Sequence, residues 1–240
     1  MTPLVFVHGF MGGSRQWADQ CAALGKDYDV IALDLPGYGE NAHLQAHDSI
    51  QGFAAWTLDD LSNRGIEQFH LLGHSMGGMI VQEMVAQAPE RVDRLVLYGT
   101  GAAGVLPGRF ESIRTSKQRA STDGPRATAR RIAATWFLNC EAAMAYEGCA
   151  AIAECTSLQA ILAGLDAMHG WSGVDHLAAI RAKTLVLWGD HDRTYPWSQT
   201  KQLWQSINGA SLAVLPDCAH AVHLEKPGLF NQMLDEFLRN

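Results

Sequence analysis

Ser75 is the residue of this chain whose surroundings most clearly predict a nucleophile. It lies in the string Gly73-His74-Ser75-Met76-Gly77-Gly78. A serine hydroxyl is a poor nucleophile near neutral pH, so it needs a histidine to accept its proton and a carboxylate to orient that histidine. A Gly-x-Ser-x-Gly string alone is weak evidence, because a serine that caps a helix after a glycine turn has the same pattern.

The residues around Ser75 predict a strand, a tight turn and a helix. Gln68 to Leu72 is a short apolar run that is typical of a strand buried in a parallel sheet. Apolar residues then recur at helical spacing over residues 79–85. In such a turn the serine has a strained backbone, and the strand crowds the helix two residues before and two residues after it. Gly73 and Gly77 stand at those two positions.

Two later loops carry the residue types that Ser75 requires. Residues 189–196 follow one apolar run and contain Asp190 and Asp192, and residues 216–220 follow another and contain His220. Because parallel strands all end at one edge of a sheet, loops distant in sequence converge there. The order of the three groups would be serine, aspartate, histidine.

Apolar strand patterns alternate with helical patterns along most of the chain, which predicts a doubly wound α/β domain with a mostly parallel sheet of about six strands. The helix predicted over residues 50–61 begins after Asp48 or Ser49 as its cap. The alternation stops over residues 104–175, which predict several short helices and form an insertion. The core is therefore assigned to residues 1–103 and 176–240. The strands are predicted at residues 4–7, 30–33, 69–72, 95–98, 184–188 and 211–215.

Composition limits the classes of function. The 240 residues are 48% hydrophobic, which suits one domain, and the net charge of −7 argues against general nucleic-acid binding. No N-terminal leader pattern and no apolar run of about 18 residues is present, so we expect a cytoplasmic protein with no membrane partner. His43 and His47 lack a third ligand nearby, and we expect neither a metal site nor a cofactor. A monomer or a homodimer is expected.

At this point the chain resembles the α/β-hydrolase superfamily over roughly residues 4–100 and 183–238. Several motifs agree in order with that family, from the oxyanion-hole turn through the nucleophile elbow to the loops of the acid and the histidine. They are Val7-His8-Gly9-Phe10, Asp34-Leu35-Pro36-Gly37-Tyr38-Gly39, Gly73 to Gly78, Pro89-Glu90-Arg91-Val92, Gly189-x-x-Asp192 with Pro196, and His220-x-x-x-x-Glu225-x-Pro227.

The resemblance implies a role for each matching residue. Ser75 is the implied nucleophile, His220 the general base and then acid, and Asp192 the carboxylate that orients His220. Asp190 competes with Asp192, but the family's acid stands three residues after the glycine. His223 competes with His220, but the family's histidine stands five residues before the glutamate that matches Glu225.

The implied oxyanion hole consists of the backbone N–H groups of Phe10 and Met76. His8 is expected to be a structural histidine that orients the turn before Phe10. Asp34 follows a strand end too, but its Pro-Gly setting indicates a turn carboxylate that is bonded to backbone amides.

The family's sheet usually begins with an antiparallel hairpin, whereas the oxyanion strand here starts by residue 4. We therefore expect six parallel strands, with the strand at residues 30–33 at an edge of the sheet. The resemblance makes the insertion at residues 104–175 a helical lid over the site. Candidates to line the substrate pocket are His74, Trp136, Phe137, Leu138, Met144, Tyr146, Met168 and Trp171.

Basic residues are concentrated in part of the insertion. Residues 109–131 contain seven Lys or Arg against Glu111 and Asp123, a local net charge of +5 (7 − 2). A carboxylated substrate or an acidic carrier protein could use this charge through Arg109, Arg114 or Arg119. A solvated helix face is the favoured interpretation.

The resemblance narrows the reaction to hydrolysis of a small carboxylic ester, lactone or thioester through an acyl-enzyme, as in small carboxylesterases and enol-lactonases. Ser75 stands where haloalkane dehalogenases and epoxide hydrolases have aspartate. Carbon–carbon bond hydrolases typically carry an aromatic residue where this chain has Ala221, and the menaquinone-pathway lyase carries arginine where this chain has Met79. A carbon–carbon hydrolase, a lyase on the same triad and a catalytically silent ligand receptor remain the alternatives.

Overall fold

Six parallel strands form a single sheet in the computed structural model, which describes residues 2–105 and 111–239. Each strand consists mainly of apolar residues, as expected for a sheet that is covered on both faces. The strands are β1 Pro3–Val7, β2 Asp29–Ala32, β3 Phe69–His74, β4 Val92–Tyr98, β5 Lys183–Gly189 and β6 Ser211–Leu215.

The strand order across the sheet is β2-β1-β3-β4-β5-β6, and every neighbouring pair is parallel. This confirms the predicted set of six parallel strands with the second strand at one edge. The strand β1 therefore lies next to the edge strand β2, and β3 pairs with its other side to continue the sheet through β4, β5 and β6. The carboxyl ends of β3, β5 and β6 consequently meet on one side of the sheet.

Ten helices connect or flank the strands in the described part of the chain. The second begins after Ser49, whose hydroxyl accepts a hydrogen bond from the N–H of Gly52 at 3.2 Å, so Ser49 rather than Asp48 is the cap. The helices are α1 Ala18–Leu24, α2 Ile50–Asn63, α3 Met76–Gln87, α4 Ile113–Asp123, α5 Pro125–Ala134, α6 Tyr146–Ala153, α7 Leu158–His169, α8 Trp197–Ser206, α9 Val222–Glu225 and α10 Pro227–Arg239.

Two hydrophobic clusters cover the two faces of the sheet. Alternate residues along β1 illustrate the division, because Leu4 belongs to one cluster and Val5 to the other. Helices α1 and α10 contribute to the Leu4 side, and α2, α3 and α8 contribute to the Val5 side. The domain is therefore doubly wound, as the alternating pattern predicts.

The helices α4 to α7 all lie between β4 and β5, in the range that the sequence assigns to an insertion. An antiparallel bridge between Ala103 and Ser172 joins the two ends of this segment. The segment also contacts the end of the sheet near β6, because the N–H of Ala221 donates to the carbonyl of Trp136 at 2.9 Å. Its action as a lid stays a prediction.

Within residues 2–105 and 111–239, no single helix is both long and apolar enough to cross a bilayer. The helices α6 and α7, which are joined at a bend, are together long and apolar enough by length and composition alone.

Candidate active site

Ser75 occupies a sharp turn between β3 and α3. Its backbone angles are φ 58° and ψ −121°, a left-handed conformation that is strained for a residue with a side chain. Two hydrogen bonds hold the turn: the N–H of Ser75 donates to the carbonyl of Tyr98 at 3.0 Å, and the hydroxyl of Thr100 donates to the carbonyl of Ser75 at 2.7 Å. The neighbouring strand β4 and the loop after it therefore fix the turn that presents the hydroxyl of Ser75.

Gly73 and Gly77 allow the backbones around Ser75 to approach closely. A Cβ atom on Gly73 would lie 2.3 Å from the carbonyl oxygen of Gly77, and a Cβ atom on Gly77 would lie 2.3 Å from the carbonyl oxygen of Val7. Both distances are far inside van der Waals contact, so any side chain would separate α3 from the sheet. The crowding that the spacing of the motif predicts is present at both positions.

His220 and Asp192 meet at the carboxyl ends of β5 and β6. The His220 Nδ1 atom lies 2.8 Å from the Asp192 Oδ2 atom, and both side chains are buried. The other carboxylate oxygen, Oδ1, accepts the backbone N–H groups of Thr194 at 2.7 Å and Tyr195 at 3.1 Å. A carboxylate can only accept, so Nδ1 of His220 carries the proton and Nε2 retains a lone pair.

His74 and Tyr98 hold the backbone of His220. The His74 Nε2 atom and the Tyr98 hydroxyl lie 3.1 Å and 2.9 Å from the carbonyl oxygen of His220, and each donates to it. Burial, together with the nearby His220 ring, keeps the pKa of His74 well below its ordinary value. His74 is therefore a neutral donor that positions His220, and it also lines the cavity at Ser75.

The structure separates the competing residues by their partners. The Nδ1 atom of His223 lies 3.0 Å from the hydroxyl of Tyr98, and its ring stacks on Trp17 at 4.3 Å between centroids. Burial lowers the pKa of His223 to about 3. Asp192 thus meets His220 and not His223, whereas Asp190 accepts a hydrogen bond from the N–H of Cys218 at 3.3 Å.

The turn after β1 lies against the Ser75 turn. The Nε2 atom of His8 accepts the N–H of Leu35 at 3.0 Å, so Nδ1 carries the proton and donates to the carbonyl of Gly9 at 2.8 Å. His8 is therefore a neutral structural histidine, and burial lowers its pKa accordingly. In the described residues, no hydrogen-bond acceptor is recorded for the N–H groups of Phe10 or Met76.

The Asp34 side chain is hydrogen-bonded to Ser14, in the segment that follows the turn after β1. Its two carboxylate oxygens accept the N–H and the hydroxyl of Ser14, each at 2.7 Å. Asp34 therefore accepts a backbone amide, as predicted, but that amide belongs to Ser14 and not to its own Pro-Gly turn, and Asp34 is separate from the pair formed by Asp192 and His220.

Ser75 and His220 line one cavity of about 50 Å³. Of the candidate pocket residues, His74, Trp136 and Met168 line it, together with the backbone turn at Gly9 and Phe10. The cavity is small and mostly apolar, so it suits a short acyl group more than a large ligand. Further lining residues that were not among the pocket candidates are Gln16, Ile132, Thr135, Cys149, Thr194, Tyr195, Ala221, His223 and Leu224.

The other pocket candidates lie outside the lining of this cavity. Met144 is fully exposed, and Phe137 is buried edge-on against Tyr146 with 6.5 Å between ring centroids. The Tyr146 hydroxyl donates to the carbonyl of Arg130, and the Trp171 Nε1–H donates to Glu83 Oε1 at 2.7 Å. These aromatic residues pack the helices α4 to α7 together or against α3, and Leu138 also lies outside the lining.

Cys149 is the other nucleophilic side chain that lines the cavity. Burial raises the pKa of its thiol to about 12, and its sulfur accepts a hydrogen bond from the Nε2–H of Gln16 at 2.8 Å. Only the thiolate is strongly nucleophilic. Cys149 is thus protonated near neutral pH, so its thiol is a weak nucleophile.

Comparison with known proteins agrees with this geometry. A model described as the alpha/beta hydrolase family matches residues 4–233, which include every strand except the first residue of β1. The chain belongs to the alpha/beta hydrolase family.

Individual relatives of this α/β-hydrolase are named as hydrolases. A putative carbamate hydrolase from Pseudomonas savastanoi pv. phaseolicola is 30% identical, over 98% of this chain and 93% of that protein. The esterase of Thermogutta terrifontis, solved with malate bound, is 25% identical with a TM-score of 0.90. The match covers 100% of this chain and 90% of the esterase chain. The enol-lactonase of Burkholderia xenovorans LB400 shares the fold at 24% identity and a TM-score of 0.90, over 100% of this chain and 92% of its own.

Proposed function

We propose that this α/β-hydrolase cleaves a small carboxylic ester, lactone or thioester through an acyl-enzyme intermediate. The observation that carries the proposal is the grouping of Ser75 and His220 on one cavity, with His220 Nδ1 held 2.8 Å from Asp192. This arrangement supplies a nucleophile, a base with a free lone pair on Nε2, and a carboxylate that stabilises the imidazolium form.

In the first half of the reaction, Ser75 Oγ attacks the carbonyl carbon of the substrate while Nε2 of His220 accepts its proton. The N–H groups of Phe10 and Met76 donate to the oxyanion, and the positive end of the α3 dipole adds to this stabilisation. His220 then returns the proton to the departing alkoxide or thiolate. The acyl group remains bonded to Ser75 Oγ.

In the second half, a water molecule attacks the acyl carbon and gives a proton to His220. The oxyanion collapses, the bond to Ser75 breaks, and His220 returns the proton to the Ser75 oxygen. The products are a carboxylic acid and regenerated enzyme, so the net reaction consumes one water for each acyl bond cleaved.

Pre-steady-state acylation tests the proposal. With 4-nitrophenyl acetate we expect a burst of nitrophenolate that is stoichiometric with enzyme, and a mass increase of one acetyl group at Ser75. The burst disappears in Ser75→Ala and persists in Ser198→Ala, a change on the exposed face of α8. The proposal fails if the folded protein is acylated by no activated ester or phosphonate, or if Ser75→Ala keeps the burst.

Carbamate hydrolysis is a second candidate, favoured by the name of the relative that is 30% identical. The same serine would attack the carbamate carbonyl and expel the alcohol, and water would then release a carbamic acid, which decomposes to carbon dioxide and an amine or ammonia. A kcat/KM for ethyl carbamate above that for ethyl acetate would favour this candidate over ester hydrolysis.

A further inference from the structure

A second cavity adjoins the one at Ser75. It has a volume of about 340 Å³ and shares Thr135 and Thr194 with the inner cavity of about 50 Å³. Sites for drug-sized ligands measure roughly 300–1,000 Å³. Thr135 and Thr194 border both cavities, so the outer cavity lies next to the one at Ser75 and has the volume to hold the rest of a longer substrate.

Arg193, on the wall of the outer cavity, carries a positive charge that no carboxylate neutralises. Its guanidinium donates to the backbone carbonyls of Leu138 at 3.1 Å and Phe137 at 3.5 Å, and contacts the Cys140 sulfur at 3.5 Å. The two carbonyl oxygens are uncharged, and none of the three acceptors is a carboxylate. In the part of the chain that the structure describes, no Asp or Glu oxygen lies within 4.0 Å of this guanidinium.

Arg131, on the same wall, belongs to a network of ion pairs. Its Nη1 atom lies 3.3 Å from Glu111 Oε1, but Glu111 Oε2 also pairs with Arg119 at 3.2 Å. One carboxylate thus serves two guanidinium groups. Arg119 pairs in addition with Asp123 at 3.7 Å, so this network of two arginines and two carboxylates is balanced, and the charged residues that line the cavity among the described residues are Arg131, Arg193 and Glu141.

We infer that the outer cavity binds the free carboxylate of a substrate whose scissile carbonyl lies at Ser75, with Arg193 as the principal anion-binding residue. The substrate class is a monoester, lactone or thioester whose chain carries a second, ionised carboxyl group. This inference rests on the proposed function, because it assigns the far end of the same substrate. Guanidinium and carboxylate form paired, charge-assisted hydrogen bonds, which suits Arg193 to this task.

Arg193 lies on the same loop as the carboxylate that orients His220. It stands between Asp192, which bonds His220, and Thr194, whose N–H donates to Asp192. The loop that orients the catalytic histidine therefore also carries the anion-binding group, and its backbone is held by those hydrogen bonds. A carboxylate bound there lies beside Thr194, which also lines the cavity at Ser75.

The structure favours Arg193 for binding the substrate carboxylate over the basic residues that the sequence suggested. Arg119 is paired with Glu111 and Asp123, and Arg114 is exposed on α4 and lines neither cavity. Arg109 lies outside the described residues. Arg114 therefore provides a matched control, since it is a cation of the same type at a distance from the proposed site.

A matched pair of methyl esters tests the inference. Monomethyl succinate and methyl butyrate differ in one terminal group, carboxylate against methyl, and methanol release gives kcat/KM for each. Wild type should favour the succinate ester, and Arg193→Gln should lower the succinate-to-butyrate ratio roughly tenfold or more, equivalent to about 1.4 kcal/mol. Arg131→Gln should lower the ratio less, and Arg114→Gln should leave it unchanged.

Arg193→Lys separates charge from packing, because lysine keeps the positive charge but cannot reproduce both carbonyl contacts. We expect it to retain a larger ratio than Arg193→Gln. Equal ratios for the two variants, or a ratio in Arg193→Gln equal to that of wild type, overturn the inference while leaving ester hydrolysis intact. If wild type hydrolyses neither this pair nor 4-nitrophenyl acetate, the proposed function itself fails.

Discussion

Replacing Asp192 with asparagine should inactivate the site by changing the tautomer of His220. In the folded protein the carboxylate Oδ1 atom accepts two backbone N–H groups, from Thr194 at 2.7 Å and Tyr195 at 3.1 Å. An asparagine side chain must place its oxygen there, because an NH₂ group would face two donors. Its NH₂ group then faces His220, where Oδ2 of Asp192 lay 2.8 Å from Nδ1.

The size of the effect follows from that forced orientation. The Nδ1 atom of His220 must now accept, so the ring proton moves to Nε2 and the lone pair that would take the Ser75 proton is lost. The equivalent substitution in a serine protease triad lowers kcat about 10⁴-fold. We expect a loss of roughly 10³- to 10⁴-fold in kcat, or about 4 to 5 kcal/mol in the activation barrier. The side chain remains fully hydrogen-bonded, so folding should survive.

The assay is the rate of acylation by 4-nitrophenyl acetate at pH 7.5, with circular dichroism to confirm the fold. Asp190→Asn is the control, because Asp190 accepts only the Cys218 N–H among the described contacts and should lose little activity. A folded Asp192→Asn variant that keeps a tenth or more of the wild-type rate would refute the reasoning about the tautomer. An equal loss in Asp190→Asn would refute the assignment of the acid.

Two further predictions concern stability. Gly73→Ala places a Cβ atom 2.3 Å from the Gly77 carbonyl oxygen and 2.6 Å from Val81, so urea unfolding should show a loss of about 3 kcal/mol or more. Gly148→Ala, where an added Cβ meets nothing within 4 Å, should be no less stable, and similar values for the two would contradict the close approach of α3. His223 has a pKa of about 3 when folded against an ordinary 6.5. Because the unfolded chain binds the extra proton, stability should fall as the pH drops from 6.5 towards 3, by at most about 1.4 kcal/mol per pH unit for this group. Chemical denaturation between pH 7 and 5 should show a smaller decline for His223→Gln than for wild type, with the exposed His176→Gln as control, and an unchanged slope would refute this origin.

Much of the fold could be predicted from local patterns. The strand β6 lies at the predicted residues 211–215, and α2 begins at the predicted Ile50. Both depend on apolar periodicity and capping, which are properties of short segments. The prediction of a crowded turn at Ser75 rests on glycine spacing, which is also local, and the close contacts of Gly73 and Gly77 agree with it.

The lining of the site could not be predicted in the same way. An aromatic residue in a helical insertion can face another helix or the cavity, and only the packing of α4 to α7 decides between them. Trp136 lines the cavity, whereas Phe137, the next residue, packs against Tyr146. Gln16 and Tyr195 also line the cavity, but nothing in their type or spacing indicates it.

The sequence by itself determined the α/β fold, the elbow at Ser75 and the two loops that could complete the site. These follow from periodicity and from the steric needs of a short turn, which act over a few residues. The tertiary structure decided which partners meet: His220 bonds Asp192, while His223 bonds Tyr98. It also decided which cation is left unpaired among the described residues, because Arg119 finds carboxylates and Arg193 finds backbone carbonyls. Pairing depends on distances between elements far apart in the chain, and only the packed sheet and helices set those distances.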